Sequence, residues 1–375
     1  MGATPSGKTN VAFYVWLGVL VVLILAGLFA WTIQLRQGSA VLGTGQAVVW
    51  GLYIAFFFSA IGAGAGALIL AALPDTLGQE RFRPLSKIAV ALALVCFIGG
   101  GLAIVLDLGR PERVLTMILS PNLTSPFVWD FLFLAVCVVV AAVYGFFMLR
   151  GGLKERGRKA LGWVAIVAAV GAVTVEGWIL AVGNAHPLWH SPLLPLSFLV
   201  GGLLAGLALV ALVAMLTGVA PSSAGELAGY MAAFIIVSLF LLLLEIVTLS
   251  YVGATDVAGP LGALLGSPLF WAQIVLGTVV PFVLLMLRQV RASAIGLSVA
   301  AVLVLCGLLA EKVNWLVAGQ SYPLYPVAAG VTRGDYAASA VEWLVVVGLL
   351  ALAALLYTLG AKFLPLGVEP EEAAA

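Results

Sequence analysis

Ser125-Pro126-Phe127-Val128-Trp129 and, 142 positions later, Ser267-Pro268-Leu269-Phe270-Trp271 each open an almost wholly apolar run, and Ser191-Pro192 opens another between them. Serine is a good helix N-cap, and proline suits the first helical turn because its missing N–H leaves no bond unmade. Each pair therefore marks a helix start, and the repeated S-P-x-x-W points to a duplicated membrane domain.

Composition agrees with that reading. With 63% hydrophobic residues, 9% charged residues and a mean hydropathy of +1.20, the chain has too little polar surface to cover a water-soluble globule. A span needs roughly 20 apolar residues to cross about 30 Å of hydrocarbon. Ten stretches qualify: 11–33, 48–73, 88–106, 127–149, 161–183, 193–217, 231–253, 269–287, 293–317 and 341–361. The first is longer than a secretory leader and has no convincing small-residue cleavage site before Leu35, so it reads as a retained helix.

Basic residues in short loops stay cytoplasmic. Lys8, Arg81, Arg83, Lys87, Arg150, Lys154, Arg156, Arg158, Lys159, Arg288, Arg291 and Lys362 fall on the N-terminal side of the membrane, against Arg36, Arg110, Arg113 and Arg333 opposite. Both termini are expected in the cytoplasm. The net charge of +1 and the lack of a basic patch interleaved with aromatics give no reason to expect nucleic acid.

Cys96, Cys137 and Cys306 are solitary and lie inside spans, so no iron–sulfur or zinc spacing exists. The two histidines, His186 and His190, share one loop, which leaves none inside a span for a bis-histidine haem. The chain is expected to hold no haem, cluster or other metal of its own.

Spans two to five correspond to spans six to nine. Gly62 and Gly66 answer to Gly202 and Gly206 at an offset of 140, the S-P-x-x-W starts at 142, and Glu176-Gly177-Trp178 resembles the stretch from Glu311 to Trp315 at about 135. Because four spans separate the sets, both have the same orientation, related by a pseudo-twofold along the membrane normal. The fold expected is all-α: two four-helix bundles, residues 48–190 and 191–320, with a flanking span in 1–47 and another in 321–375. Small residues such as Gly62, Gly64, Gly66 and Gly99 to Gly101 serve close helix packing.

An ionisable residue inside a span costs on the order of 2.5–3.5 kcal/mol on insertion scales, so each is a functional candidate. Asp130 falls in the first turn of the fourth span, Asp107 ends the third at the same face, and Glu176 lies seven residues before Gly183, roughly 10 Å down. Trp50 and Tyr53 enter at that face, with His186 and His190 in the loop above. The bland reading has Asp107 and Asp130 capping helix ends and pairing with Arg110 or Arg113, and the aromatics forming an interfacial belt. In the second bundle Glu245, Glu311 and Lys312 suggest a proton path or a structural ion pair. Adjacent residues point about 100° apart on a helix, so Lys312 is expected to reach Glu245 rather than Glu311.

Asp107-Leu108-Gly109-Arg110-Pro111-Glu112-Arg113, Thr124-Ser125-Pro126-Phe127-Val128-Trp129-Asp130 and His186-Pro187-Leu188-Trp189 with Leu194-Pro195 complete a pattern. Over about residues 48–320 the chain resembles the NrfD/PsrC family, membrane subunits of polysulfide reductase and related respiratory complexes. The resemblance implies an electron-transfer role without redox centres in the subunit. Menaquinone or ubiquinone would bind near the outer face of the first bundle, with a ferredoxin-like iron–sulfur subunit outside it and a molybdopterin-type catalytic subunit beyond. It also implies a multi-pass protein of the prokaryotic inner membrane. Where sulfur-reductase members contact the quinone through an Asn, a His and a Tyr, this chain has Ile54, Phe57 and Val175. Quinone contacts here would fall to Trp50, Tyr53, Asp107, Arg110, Asp130, Glu176 and His186, with Glu176 or Asp130 accepting a proton. The outer segment 107–126 is expected to hold a short helix from Pro111, carrying Val114, Leu115, Met117 and Ile118 as an apolar stripe for the partner. Two alternatives stay open: a quinone-independent proton-coupling subunit, and a secondary transporter, since parallel repeats with midplane charges occur there too.

Overall fold

The computed structural model describes residues 11–252, 255–324 and 333–366, and all regular structure among them is helical. Lys8 lies outside the described residues. Among the described residues ten helical segments are long and apolar enough to cross a membrane, one for each stretch marked by the sequence. They are α1 (Val11–Gln37), α2 (Leu52–Leu77), α3 (Arg83–Asp107), then, after the short α4 (Val114–Leu119), α5 (Pro126–Arg150), α6 (Glu155–Ala181), α7 (Leu194–Thr217) and α8 (Pro221–Val252). After α9 (Thr255–Gly266), the eighth span is α10 (Pro268–Ile274), a π-helical turn (Val275–Val279) and α11 (Val280–Met286); α12 (Arg288–Arg291) leads to α13 (Ala294–Gln320) and α14 (Ala340–Phe363). The protein is a multi-pass membrane protein.

Packing grades from centre to rim. In α2 the apolar window is 83% buried and in α1 only 11%, which puts α2 at the centre and leaves α1 facing lipid. α2 packs on α3, α6 and α7; α7 packs on α8 and α13; α1 pairs with α14, which leans on α3. The two bundles meet along α2 and α7 through glycine. A Cβ at Gly62 would stand 3.2 Å from the Gly202 Cα, and one at Gly66 would stand 3.0 Å from the Gly206 Cα. Phe58 and Phe198 close the same seam edge to face, with centroids 5.3 Å apart. Backbones this close gain dispersion contacts that lipid cannot match.

The Ser-Pro motifs start two helices of three. Pro126 and Pro268 occupy the first turns of α5 and α10, although neither preceding serine makes a side-chain cap bond. In both motifs the tryptophan indole ties down the incoming loop instead, Trp129 donating to the Leu123 carbonyl at 2.8 Å and Trp271 to the Leu265 carbonyl at 2.9 Å. Ser191-Pro192 departs from expectation: α7 begins at Leu194 with Pro195 in its first turn, and the Ser191 hydroxyl donates to Glu245 at 2.8 Å. The second span likewise starts at Leu52, because Val49 and Trp50 donate their backbone N–H groups to Gln320 Oε1 at 2.9 and 3.0 Å instead of entering the helix.

At the end of the molecule where α2 finishes, Asp75 holds the first bundle together. It accepts from Tyr144 of α5 at 2.8 Å and pairs with Arg83 of α3 at 3.1 Å and Arg158 of α6 at 3.7 Å. Four helices are fixed by one carboxylate whose side chain is 4% exposed.

Candidate functional site

At the other end, where α2 begins, a cavity of about 310 Å³ lies between α2, α3, α4, α5 and α6. Its wall is mostly aliphatic and aromatic. Ile54 and Phe57, one helical turn apart on α2, face it, with Phe131 and Leu134 of α5 opposite. Val114 and Met117 of α4 roof it, so the expected short helix exists and lies over the cavity. Two carboxyl groups interrupt the apolar lining, Asp107 from the last residue of α3 and Asp130 from the first turn of α5. Asp130 is 8% exposed, and its Oδ1 is buried without a hydrogen-bond partner. Neither aspartate makes an ion pair among the described residues, so the pairing with Arg110 or Arg113 is not formed. An unpaired buried carboxylate oxygen costs free energy unless something donates to it.

Trp50 forms the mouth. It stacks on Trp189 with centroids 5.6 Å apart and planes 8° from parallel, and meets Phe127 edge to face at 5.9 Å. Trp189 is anchored by its indole to the Trp315 carbonyl at 2.7 Å and carries the His186 ring at 4.2 Å. His186 Nδ1 donates to the Gly319 carbonyl at 3.1 Å. Gly319 is glycine of necessity, because a Cβ there would enter the Trp189 indole. Burial holds the His186 imidazole below its usual pKa, with the Gly319 carbonyl pulling the other way.

The residues singled out in the sequence thus divide. Trp50, Asp107 and Asp130 line the cavity. Tyr53 does not: it points away from it and donates to Gln34 Oε1 at 3.0 Å, while Gln34 donates to the Leu106 carbonyl at 2.9 Å. Arg110 is exposed beside the roof, and His186 stands two rings behind Trp50. His190, exposed, bonds through Nδ1 to the Ala181 carbonyl at 2.9 Å. Glu176 is fully buried behind the wall, both carboxyl oxygens without a partner, and within electrostatic range of Asp130 and Lys312. Val175 is buried in the helix packing and does not face the cavity.

In the second bundle Lys312 reaches Glu311, not Glu245: Nζ lies 3.2 Å from Glu311 Oε1 and 3.6 Å above the Phe198 ring. Long side chains can fold back across adjacent helix positions, and here the Phe198 face holds the ammonium where Glu311 can meet it.

Several polar residues that shape the site carry no sequence signal of their own. Gln320 pins the Trp50 backbone from both sides, accepting from its N–H and donating to its carbonyl at 3.0 Å each. Tyr336 accepts from Leu52 N–H and donates to Glu342, both at 2.7 Å, which secures the start of α2. Only Glu342 was open to detection, since Ser339 and Glu342 form a capping box of the S-x-x-E kind.

Residues 40–323 match the family described as Polysulphide reductase, NrfD. The chain belongs to the NrfD family. Among its relatives, a putative dimethyl sulfoxide reductase membrane subunit of Halobacterium salinarum is 30% identical over 94% of this chain and 91% of the relative. An Hdr-like menaquinol oxidoreductase integral membrane subunit of Archaeoglobus fulgidus is 23% identical over 95% of this chain and 94% of its own. A polysulfide reductase chain of Wolinella succinogenes is 27% identical over 73% of this chain and 95% of its own. This NrfD-family chain therefore spans nearly the full length of these relatives.

Proposed function

We propose that the protein is the membrane subunit of a respiratory oxidoreductase and exchanges electrons between a membrane quinone, menaquinone or ubiquinone, and an iron–sulfur partner. The observation that carries this reading is the cavity beneath α4: apolar walls, an aromatic mouth and one orphaned carboxylate oxygen on Asp130. Its volume falls within the roughly 300–1,000 Å³ common for small-molecule sites. Such a cavity suits an amphipathic ring, with Asp130 supplying the hydrogen-bond acceptor that the ring hydroxyl needs. A bound quinol would supply two electrons and two protons on oxidation. Asp130 would hold one ring hydroxyl and take its proton, Asp107 would orient the ring from α3, and the Trp50–Trp189 stack would keep water from the mouth.

Names of relatives support the cofactor and the partners, two of them mentioning menaquinol or menaquinone. In this reading α4 and the exposed Arg110 face a ferredoxin-like subunit on the outer side of a prokaryotic cell membrane, a molybdopterin-type subunit completes the complex, and both termini are cytoplasmic. The buried, unpartnered Glu176 favours proton coupling as a second property of the same complex.

Replacing Asp130 with Asn keeps size but removes the basic oxygen. In the purified complex, quinol-dependent electron transfer should fall about 10²-fold or more while subunit assembly persists. Wild-type quinol kinetics in an assembled Asp130→Asn complex would refute the assignment.

A further inference from the structure

Glu311 lines two small cavities of about 20 Å³ each, both with polar and apolar walls. The polar groups in the wall of the first are Ser197, Ser238, Glu245 and Glu311, set among leucines and aromatics; those of the second are Ser238, Gln273, Thr278 and Glu311, set among aliphatic residues and glycines. About 10–15 Å³ of such space and two to four polar partners suffice for one water molecule, and both cavities meet that condition. Ser238 and Glu311 line both, so the two cavities adjoin and their polar groups make a file. Toward the site end the file passes to Glu245, 3% exposed, which accepts from Ser191 at 2.8 Å in the loop that joins the bundles. Toward the first bundle it meets Lys312, which pairs with Glu311 and lies within electrostatic range of Glu176. Along α11 and α7 it stops. Past Thr278 the π turn presses Gly277 onto Gly307, and α11 continues as Val-Pro-Phe-Val-Leu-Leu-Met without a polar side chain. From Leu199 to Met215 α7 is equally apolar.

We propose that the second bundle carries a one-sided, water-bearing proton file running from Glu176 through Lys312, Glu311 and Glu245 to the Ser191 loop, which releases protons at the same end of the molecule as the cavity. Each transfer moves one proton and no electron. The Lys312 ammonium gives a proton to the Glu311 carboxylate with which it pairs, and the amine left behind takes one from the Glu176 carboxyl. Through water beside Ser238 that proton reaches the Glu245 carboxylate, and the Ser191 hydroxyl, turned from donor to acceptor, takes it and passes its own to the loop above. A lysine on its flexible stem can give up and regain a proton between two carboxylates, as an always-charged guanidinium could not. Because the file ends at α11, the second bundle is an exit and not a route across the membrane. The source of the proton rests on the quinone reading above; the existence of the file does not.

Two measurements separate these claims. Hydroxyl-radical footprinting of the purified complex reports internal water, and the buried Trp315 lines the first cavity. Trp315 oxidation should be clear in the wild type and Ser238→Ala and should fall sharply in Ser238→Val, whose added methyl groups fill both cavities. Equal Trp315 oxidation in Ser238→Val would overturn the file, whatever the quinone result. The second measurement follows proton release with a pH-sensitive dye on the cavity side of proteoliposomes, using a short-chain menaquinol as donor. Release should slow about 10²-fold in Glu245→Gln and in Ser238→Val with first-turnover electron transfer unchanged. Wild-type release in both variants, or release on the opposite side, would overturn the proposal. If the wild-type complex does not oxidise quinol at all, the quinone reading fails and the footprint alone decides the file.

Discussion

Asp130 and Glu176 differ in what surrounds them more than in depth. Asp130 opens onto the cavity and leaves one oxygen for a ligand, whereas Glu176 is sealed behind the wall among helix backbones. Their sharing of one end of the first bundle was legible in the sequence, because counting residues from each helix end fixes depth at about 1.5 Å per residue. Which of them faces the cavity was not, since that depends on helix rotation and on neighbours far away in sequence. Tyr53 illustrates the same limit: its position is right for the cavity, but Gln34 of a flanking helix captures its hydroxyl. His186 makes a testable case. Its imidazole is held below the usual value of 6.5 by burial, so the unfolded chain takes a proton at a pH where the folded one does not. Stability should therefore be intact above about pH 6.5 and decline as pH falls below it. Thermal unfolding in detergent across that window should lose part of its pH dependence in His186→Gln, and an unchanged slope would contradict the environment assigned to His186.

Helix identity follows from apolar length, and helix interruption does not. All ten spans are legible because the length criterion is insensitive to partners, while the π turn at Val275–Val279 sits where Gly277 meets Gly307 across the bundle, a contact far apart in sequence. In the proposed repeat its counterpart is α5, which runs unbroken from Pro126 to Arg150, so the paired interruptions that a transporter core would need are missing among the described residues. The short helix α4 is foreshadowed by Pro111 and its apolar stripe. It divides its faces, Val114 and Met117 toward the cavity and Leu115, Ile118 and Leu119 outward, the last 79% exposed. If that outer face and Arg110 meet the iron–sulfur subunit, charge reversal in Arg110→Glu should release that subunit during purification or halt quinol-dependent turnover. Co-purification in normal ratio with full turnover would remove α4 from the interface.

At the scale of the whole molecule, the proposed pseudo-twofold accounts for which residues meet on the central seam: Phe58 with Phe198, Gly62 with Gly202 and Gly66 with Gly206, each pair 140 positions apart. Under such a repeat the glycines that let α2 and α7 touch would be kept and the polar chemistry would not, since Ile179 on the cavity wall would answer to Asn314 in the second bundle, which donates to Gln273 at 3.0 Å. Orientation is a separate matter, resting on the basic residues at the Asp75 end and the short loops around them. A cysteine introduced at Lys154 should resist an impermeant maleimide added to intact cells, and rapid labelling would invert the topology and place the cavity on the cytoplasmic side. The central claim is that quinone occupies the cavity under α4. Photolabelling the purified complex with an azido-quinone, followed by peptide mapping, tests it most directly: adducts should fall on the cavity-lining segments of α3, α4 and α5, such as Ile104, Met117 and Phe131, and should be displaced by excess quinol. Adducts confined to α1, α14 or the second bundle, with none displaceable from α3 to α5, would contradict the account.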